Sequence, residues 1–286
     1  MKDYIVRGLV QSGNVRVFGV DSTASCRHGA KDHNCLPLTS IAFGRAISAA
    51  IMMGAMLKGE EKLTVQINGN GPIGTMIIDA DAKGFVKGFL SNPQADADVA
   101  DVSKVVGDLG LLKVIKDNQM KHNFTGEVML QTGQIGDDIA YYFYKSEQTP
   151  SVVLLSVDLN KNGKIKKAGG IIAQLLPSAS EEDIIELENK FKNYGSLKDA
   201  LNKKSIEEVI KEIFSDFVEL SRNDVTYKCS CNKNKFSKIL KLIGKEELQD
   251  MIDNDHGCNA TCNFCRKEYF FSEEELIKIK NSIKGK

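Results

Sequence analysis

Lys228-Cys229-Ser230-Cys231 and Cys262-Asn263-Phe264-Cys265 stand with thirty residues between their cysteine pairs. Two close pairs in one short segment read as a tetrahedral zinc site built of four thiolates. The C-x-C spacing is the rarer of the two among structural zinc sites, where C-x-x-C dominates. Cys258 and His256 lie between the pairs, and either could compete for a coordination position. The preferred ligands are Cys229, Cys231, Cys262 and Cys265, with Cys258 a nearby spare thiol. The segment 227–286 is small enough that an apolar core alone rarely holds it, so a metal staple is expected. Zinc in such sites contributes roughly 10–16 kcal/mol of apparent folding free energy.

The C-x-C pair also permits redox chemistry. Metal-bound thiolates are deprotonated and open to oxidants. A disulfide across one intervening residue closes a small ring and should be easily reduced. Spacing alone favours a purely structural zinc site. A thioredoxin-like reading of Cys262-x-x-Cys265 lacks the βαβ context it needs.

The remaining chain reads as α+β. Tyr4–Val10 and Val15–Val20 look like strands around the turn Gln11-Ser12-Gly13-Asn14. Leu63–Ile67, Thr75–Asp79 and Phe85–Phe89 suggest an antiparallel meander. Ser151–Leu159 and Lys164–Leu176 read as a later strand pair. Helices are predicted over Leu38–Leu57 and around Asp137–Tyr144. Gly69-Asn70-Gly71-Pro72-Ile73-Gly74 matches a dinucleotide-binding pattern, but a strand follows where a helix is required, so a hairpin turn is expected.

From Ser178 to about Asp224 the texture becomes highly charged. Ser180…Asp183, Ser196…Asp199 and Ser205…Glu208 each look like a capping box. Ile206, Val209, Ile210, Ile213, Phe217 and Leu220 then mark one helix face at the right spacing. The expected division is a core domain over 1–178, an amphipathic helical linker over 179–226, and the zinc module over 227–286. The charge density suggests that the linker packs over a modest area.

The 286-residue chain carries 38 Lys+Arg and 38 Asp+Glu, a formal net charge of +0, which argues against a protein that coats nucleic acid. Lysines 228, 233, 235, 238 and 241 near the first pair keep a constitutive zinc-ribbon nucleic-acid binder as the alternative. Ile41–Leu57 is short for a membrane span and carries Arg45, so it reads as a buried helix. No secretory signal is visible. A cytoplasmic protein without membrane or enzymatic activity is expected, whose seven cysteines are reduced at rest. Cys26 and Cys35, with His28 and His33 nearby in a predicted loop, read as packing or loop thiols.

The zinc segment, through Gly244-Lys245-Glu246-Glu247-Leu248 to Arg266-Lys267-Glu268-Tyr269-Phe270-Phe271, resembles the C-terminal module of the bacterial 33-kDa heat-shock chaperone family. Phe43-Gly44-Arg45, Gly69-Asn70-Gly71-Pro72, Lys87-Gly88-Phe89, Tyr144 through Pro150, and Ala168-Gly169-Gly170 with Gln174 and Pro177 fit the same pattern. The resemblance covers essentially the whole chain. It implies a stress-response holdase that works without ATP and binds one zinc ion per chain when reduced and inactive. Oxidants such as hypochlorite then form the disulfides Cys229–Cys231 and Cys262–Cys265, and the module and linker unfold. The activated protein is a homodimer that holds unfolding clients and passes them to the ATP-dependent seventy-kilodalton chaperone system. The client surface is expected on the stripe from Ile206 to Leu220 or on the face beneath it. One departure is local: Gly257-Cys258-Asn259-Ala260-Thr261 carries a cysteine and lacks an expected acidic residue at Asn259, so Cys258 offers another disulfide partner.

Overall fold

Alternating β-branched residues on either side of a four-residue turn form the first hairpin, β1 (Asp3–Val10) and β2 (Val15–Asp21), in the computed structural model, which describes residues 2–120 and 122–283. Two helices follow, α1 (Thr23–Asp32) and α2 (Pro37–Gly54). Next come β3 (Lys62–Gly69), β4 (Thr75–Asp81), β5 (Phe85–Leu90), α3 (Val102–Val106), β6 (Gly110–Asp117), β7 (Phe124–Met129), α4 (Gly136–Ser146), β8 (Ser151–Leu159) and β9 (Ile165–Leu175). Helices α5 (Glu181–Asn193), α6 (Leu197–Leu201) and α7 (Ile206–Ile213) lead into β10 (Val218–Tyr227). The chain then continues through α8 (Lys233–Leu240), α9 (Lys245–Asp253), β11 (Gly257–Thr261), β12 (Glu268–Ser272) and α10 (Glu273–Asn281). One structural unit ends at Lys228 and a second begins at Cys229.

The fold class is α+β, as expected. A ten-stranded sheet runs in the order β7-β6-β3-β4-β5-β10-β1-β2-β9-β8. All its pairings are antiparallel except β10 with β5, which meet in parallel only at Thr226↔Phe85 and Tyr227↔Val86. Pro37 opens α2, where its missing N–H costs nothing. The helix is buried almost all round and anchors the main core. It is the one helix among the described residues long and apolar enough to cross a membrane, and 83% of that window is buried inside the protein.

Strands β1, β2 and β9 are buried on both faces, which explains their nearly continuous apolar runs. Neighbouring residues point to opposite faces of a strand. Ile5, Phe18, Val20 and Ile172 belong to the α2 core, whereas Val6, Val15, Val17 and Ile171 join a second core under α5–α7. That second core also holds Leu187, Leu197, Leu201, Ile206, Val209, Ile210, Ile213, Phe214 and Phe217. The helical cover is therefore more than the modest packing its charge suggests. Ser180 and Ser205 close reciprocal capping boxes, while Ser196 caps α6 in one direction.

The linker reading needs a correction. The helix ends at Ile213, and residues 218–227 form a strand rather than more helix. Leu220, placed on the helical stripe by spacing, is 59% exposed on β10. Residues 218–227 find an antiparallel partner in β1 over Asp3↔Val225 to Leu9↔Val218, and that ladder outweighs the local helical spacing. The predicted loop around Cys26 and His28 is also helix. The Asp3 carboxylate accepts from Ala24 N (2.7 Å) and Ser25 N (2.5 Å), so a residue from β1 satisfies the start of α1.

Candidate metal centre

The small unit has a thin core. Leu240, Leu248, Ile252, Phe271, Leu276 and Ile279 are its buried hydrophobic cluster. Strands β11 and β12 pair from Gly257↔Ser272 to Thr261↔Glu268, and the six residues between them carry the second cysteine pair. Arg266 N donates to Cys262 O (2.8 Å), and Cys262 N donates to Lys267 O (2.8 Å). Arg266 takes a positive φ of 56° to close this knuckle. The first pair lies between β10 and α8, whose N-terminus is capped by Asn232 accepting from Lys235 N (2.9 Å).

The four thiols converge. The sulfurs of Cys229, Cys231, Cys262 and Cys265 all lie within 4.8 Å of one another. Across the pairs, Cys229 to Cys262 is 3.7 Å and Cys231 to Cys265 is 3.3 Å. Four sulfurs at the usual zinc–sulfur distance stand about 3.8 Å apart along each tetrahedral edge. The donor set and its spacing thus fit zinc, and the cluster could hold a metal ion. Cys258 is not drawn in. It sits on β11 opposite Phe271 and packs against the small core. His256 is at the surface, 3.4 Å from Glu273.

The thiols differ in acidity. Cys231 is lowered to about 7, because although burial opposes ionisation, hydrogen bonds from Tyr269 and the neighbouring thiols outweigh it. Burial pushes Cys229 and Cys265 upward. The Tyr269 hydroxyl lies 3.2 Å from Cys231 Sγ, and its ring stacks on Phe236 at 5.0 Å between centroids. Sequence reasoning assigns Tyr269 no role. Its one signal is an aromatic residue placed four positions beyond Cys265.

The other sequence candidates take structural places. Cys26 is fully buried, contacts Ser22 and Gly44 O, and is pushed up to about 12 by that burial. Cys35 is raised to about 12 for the same reason. Ile206, Val209, Ile210, Ile213 and Phe217 are buried beneath α7 and the turn after it. Lys233 pairs with Glu275 at 2.6 Å, and Lys235 donates to Ser230 Oγ at 2.9 Å. Lys228 lies over the Phe85 ring. Three of the five clustered lysines are therefore engaged within the protein.

The Hsp33 protein family model matches residues 3–272. The chain belongs to the Hsp33 family. A 33 kDa chaperonin of Bacillus subtilis is 39% identical over 286 residues, covering 98% of each chain. That of Staphylococcus carnosus is 41% identical over 283 residues, covering 96% of each. The crystal structure of the 33 kDa chaperonin of Thermotoga maritima superposes with a TM-score of 0.92 at 29% identity, covering 98% of both chains. Hsp33 membership supports a chaperone function, and the four-cysteine cluster of this Hsp33 chain could hold a metal ion.

Proposed function

We propose that this chain is a redox-regulated holdase of the cytoplasm, which binds unfolding proteins without ATP and is inactive while its four thiols are reduced. The observation that carries this reading is the convergence of Cys229, Cys231, Cys262 and Cys265 within 4.8 Å, in a unit whose own core is six buried residues. Bound zinc would keep the thiols deprotonated and supply folding free energy that this core lacks.

Oxidation acts on the thiols themselves. Each disulfide, Cys229–Cys231 and Cys262–Cys265, forms as two thiolates give two electrons to hypochlorous acid, which is reduced to chloride and hydroxide while the S–S bond closes. Once both disulfides exist, none of the four clustered sulfurs remains a thiolate to bind a cation, and the small unit loses its staple. Residues 179–226 are the responsive segment between the 1–178 core and the 227–286 switch. Their helices cover the apolar face formed by Val6, Val15, Val17, Ile171 and Ala173. Exposing that face creates a client surface. The activated chains pair as homodimers, and clients pass to the ATP-dependent seventy-kilodalton chaperone system after reduction.

The test is light scattering of a heat-denaturing client, with zinc release followed by a chromogenic chelator. The reduced, zinc-loaded protein should leave scattering unchanged, and the hypochlorite-treated protein should suppress it while zinc appears in solution. Zinc retained and scattering unsuppressed in both states would sink the reading and turn attention to nucleic-acid binding.

A further inference from the structure

We propose that β10 is a removable strand, and that the slot it leaves along β1 takes an extended segment of an unfolded client by main-chain pairing. This rests on the holdase reading above and names the binding mode it uses.

Strand β10 is held in an unusual way. It pairs with β1 from Val218 to Val225, with a bulge between Arg7 and Gly8, and only its last two residues, Thr226 and Tyr227, pair with β5. Its side chains contribute little burial in the middle. Glu219, Arg222, Asn223 and Asp224 are exposed, and Val218 and Leu220 are 60% and 59% exposed. Burial is concentrated at the ends, at Phe217 before the strand and at Val225 and Tyr227. The Tyr227 hydroxyl also meets the backbone of Gly88. Between these anchors the strand is held mainly by its backbone ladder.

The slot is cut for a main chain. A Cβ on Gly8 of β1 would lie 2.2 Å from Val218 O and 2.4 Å from the Phe217 ring, and one on Gly84, in the turn before β5 on the other side of β10, would lie 2.4 Å from Asp224 O. Any side chain at either position would collide with the backbone of the strand that fills the slot. A site shaped this way reads peptide groups and largely ignores side chains. Indifference to sequence suits unfolded clients of many kinds better than a second copy of one chain.

Release of β10 is coupled to the helical cover. Arg222 on β10 contacts Glu207 on α7 and lies 4.9 Å from the centre of the Tyr4 ring. Phe217 shares the apolar cluster of Ile210 and Ile213. Melting of α7 therefore removes the anchor at one end of the strand. At the other end, Tyr227 lies two residues before Cys229. Departure of β10 bares the edge of β1, and an arriving strand restores the same ladder bonds, so the exchange is nearly balanced in hydrogen bonds.

The test uses a fluorescein-labelled peptide with the sequence of Val218–Tyr227 and the full-length protein, reduced and zinc-loaded or hypochlorite-oxidised. Anisotropy should show binding to the oxidised protein and none to the reduced one, and the peptide should compete with a denaturing client. N-methylation of alternate amides keeps every side chain and should weaken binding by about tenfold or more. A scrambled peptide of the same composition should bind within about threefold of the parent. Equal binding of the parent and N-methylated peptides would overturn the proposal. So would absence of peptide binding in an oxidised sample that still suppresses scattering, and the holdase reading would then survive. Peptide binding lost as the protein dimerises would assign the slot to a second copy. An oxidised sample that fails to suppress scattering would end both ideas.

Discussion

The Tyr4 hydroxyl on β1 donates a 2.6 Å hydrogen bond to the Glu207 carboxylate on α7. Burial, reinforced by that carboxylate, pushes the phenol well above its ordinary range, so Tyr4 remains a donor at working pH. Arg222 from β10 meets the same carboxylate. One acidic side chain thus ties the helical cover, β1 and β10 together.

Tyr4→Phe and Glu207→Gln should each destabilise the large unit by about 1.5–3 kcal/mol, the range for losing a hydrogen bond to a charged group. Because both remove the same contact, the double variant should lose less than the sum of the two. Urea unfolding measures this. Additive losses would mean that the two residues act separately.

Ile210 is fully buried between α7 and the sheet, against Gly19, whose added Cβ would lie 2.5 Å from Ile210 Cδ1. Ile210→Ala should cost about 2–5 kcal/mol of packing. If the helices mask the client surface, the reduced protein should then suppress client aggregation without oxidant, and Ile210→Val should do so only weakly. A destabilised Ile210→Ala protein that stays inert until oxidised would show that the mask lies elsewhere.

Cys262 is the most buried of the four converging thiols, at 5% exposure. Cys262→Ser should lose bound zinc and, with it, the cooperative melting of the small unit. Cys258→Ser should keep both. Atomic absorption and circular dichroism read the two properties. Zinc lost from Cys258→Ser and retained by Cys262→Ser would reverse the ligand assignment.

Acid should loosen α6 from β8. Asp158 accepts from Asn202 Nδ2 at 2.9 Å and lies 3.2 Å from Lys198 Nζ. Burial alone would raise its carboxyl, but those hydrogen bonds and the charges of Lys198 and Lys166 hold it below the ordinary range. Its contribution is therefore complete above the unfolded value of about 3.9 and is lost as the pH falls through the lower folded value. Protection of the α6 amides relative to their intrinsic exchange rate should be full at neutral pH and should fall below about pH 4. Asp158→Asn should remove that acid step, and an unchanged step would assign it to another carboxylate.

Several features were legible from residues close together in sequence. The spacing of small apolar residues predicts α2, and alternation predicts the β3–β4–β5 meander. Ser180 and Ser205, each three residues before an acid, predict helix starts that form as closed boxes. The two cysteine pairs name a thiolate cluster because each pair is already local, and only one loop must close to join them.

Residues near one another in the chain were enough to reveal four cysteines in two pairs, a small-residue core helix, and an amphipathic segment between them. Tertiary structure alone decided that residues 218–227 are a strand, that Asp3 starts α1 from another element, and that Tyr269 reaches Cys231. It also brought Cys229 within 3.7 Å of Cys262 and Cys231 within 3.3 Å of Cys265, sulfur to sulfur. The physical reason is common to all of these. Local periodicity encodes contacts three or four residues apart, whereas a partner more than twenty residues away leaves no mark on the pattern of either segment until the chain closes on itself.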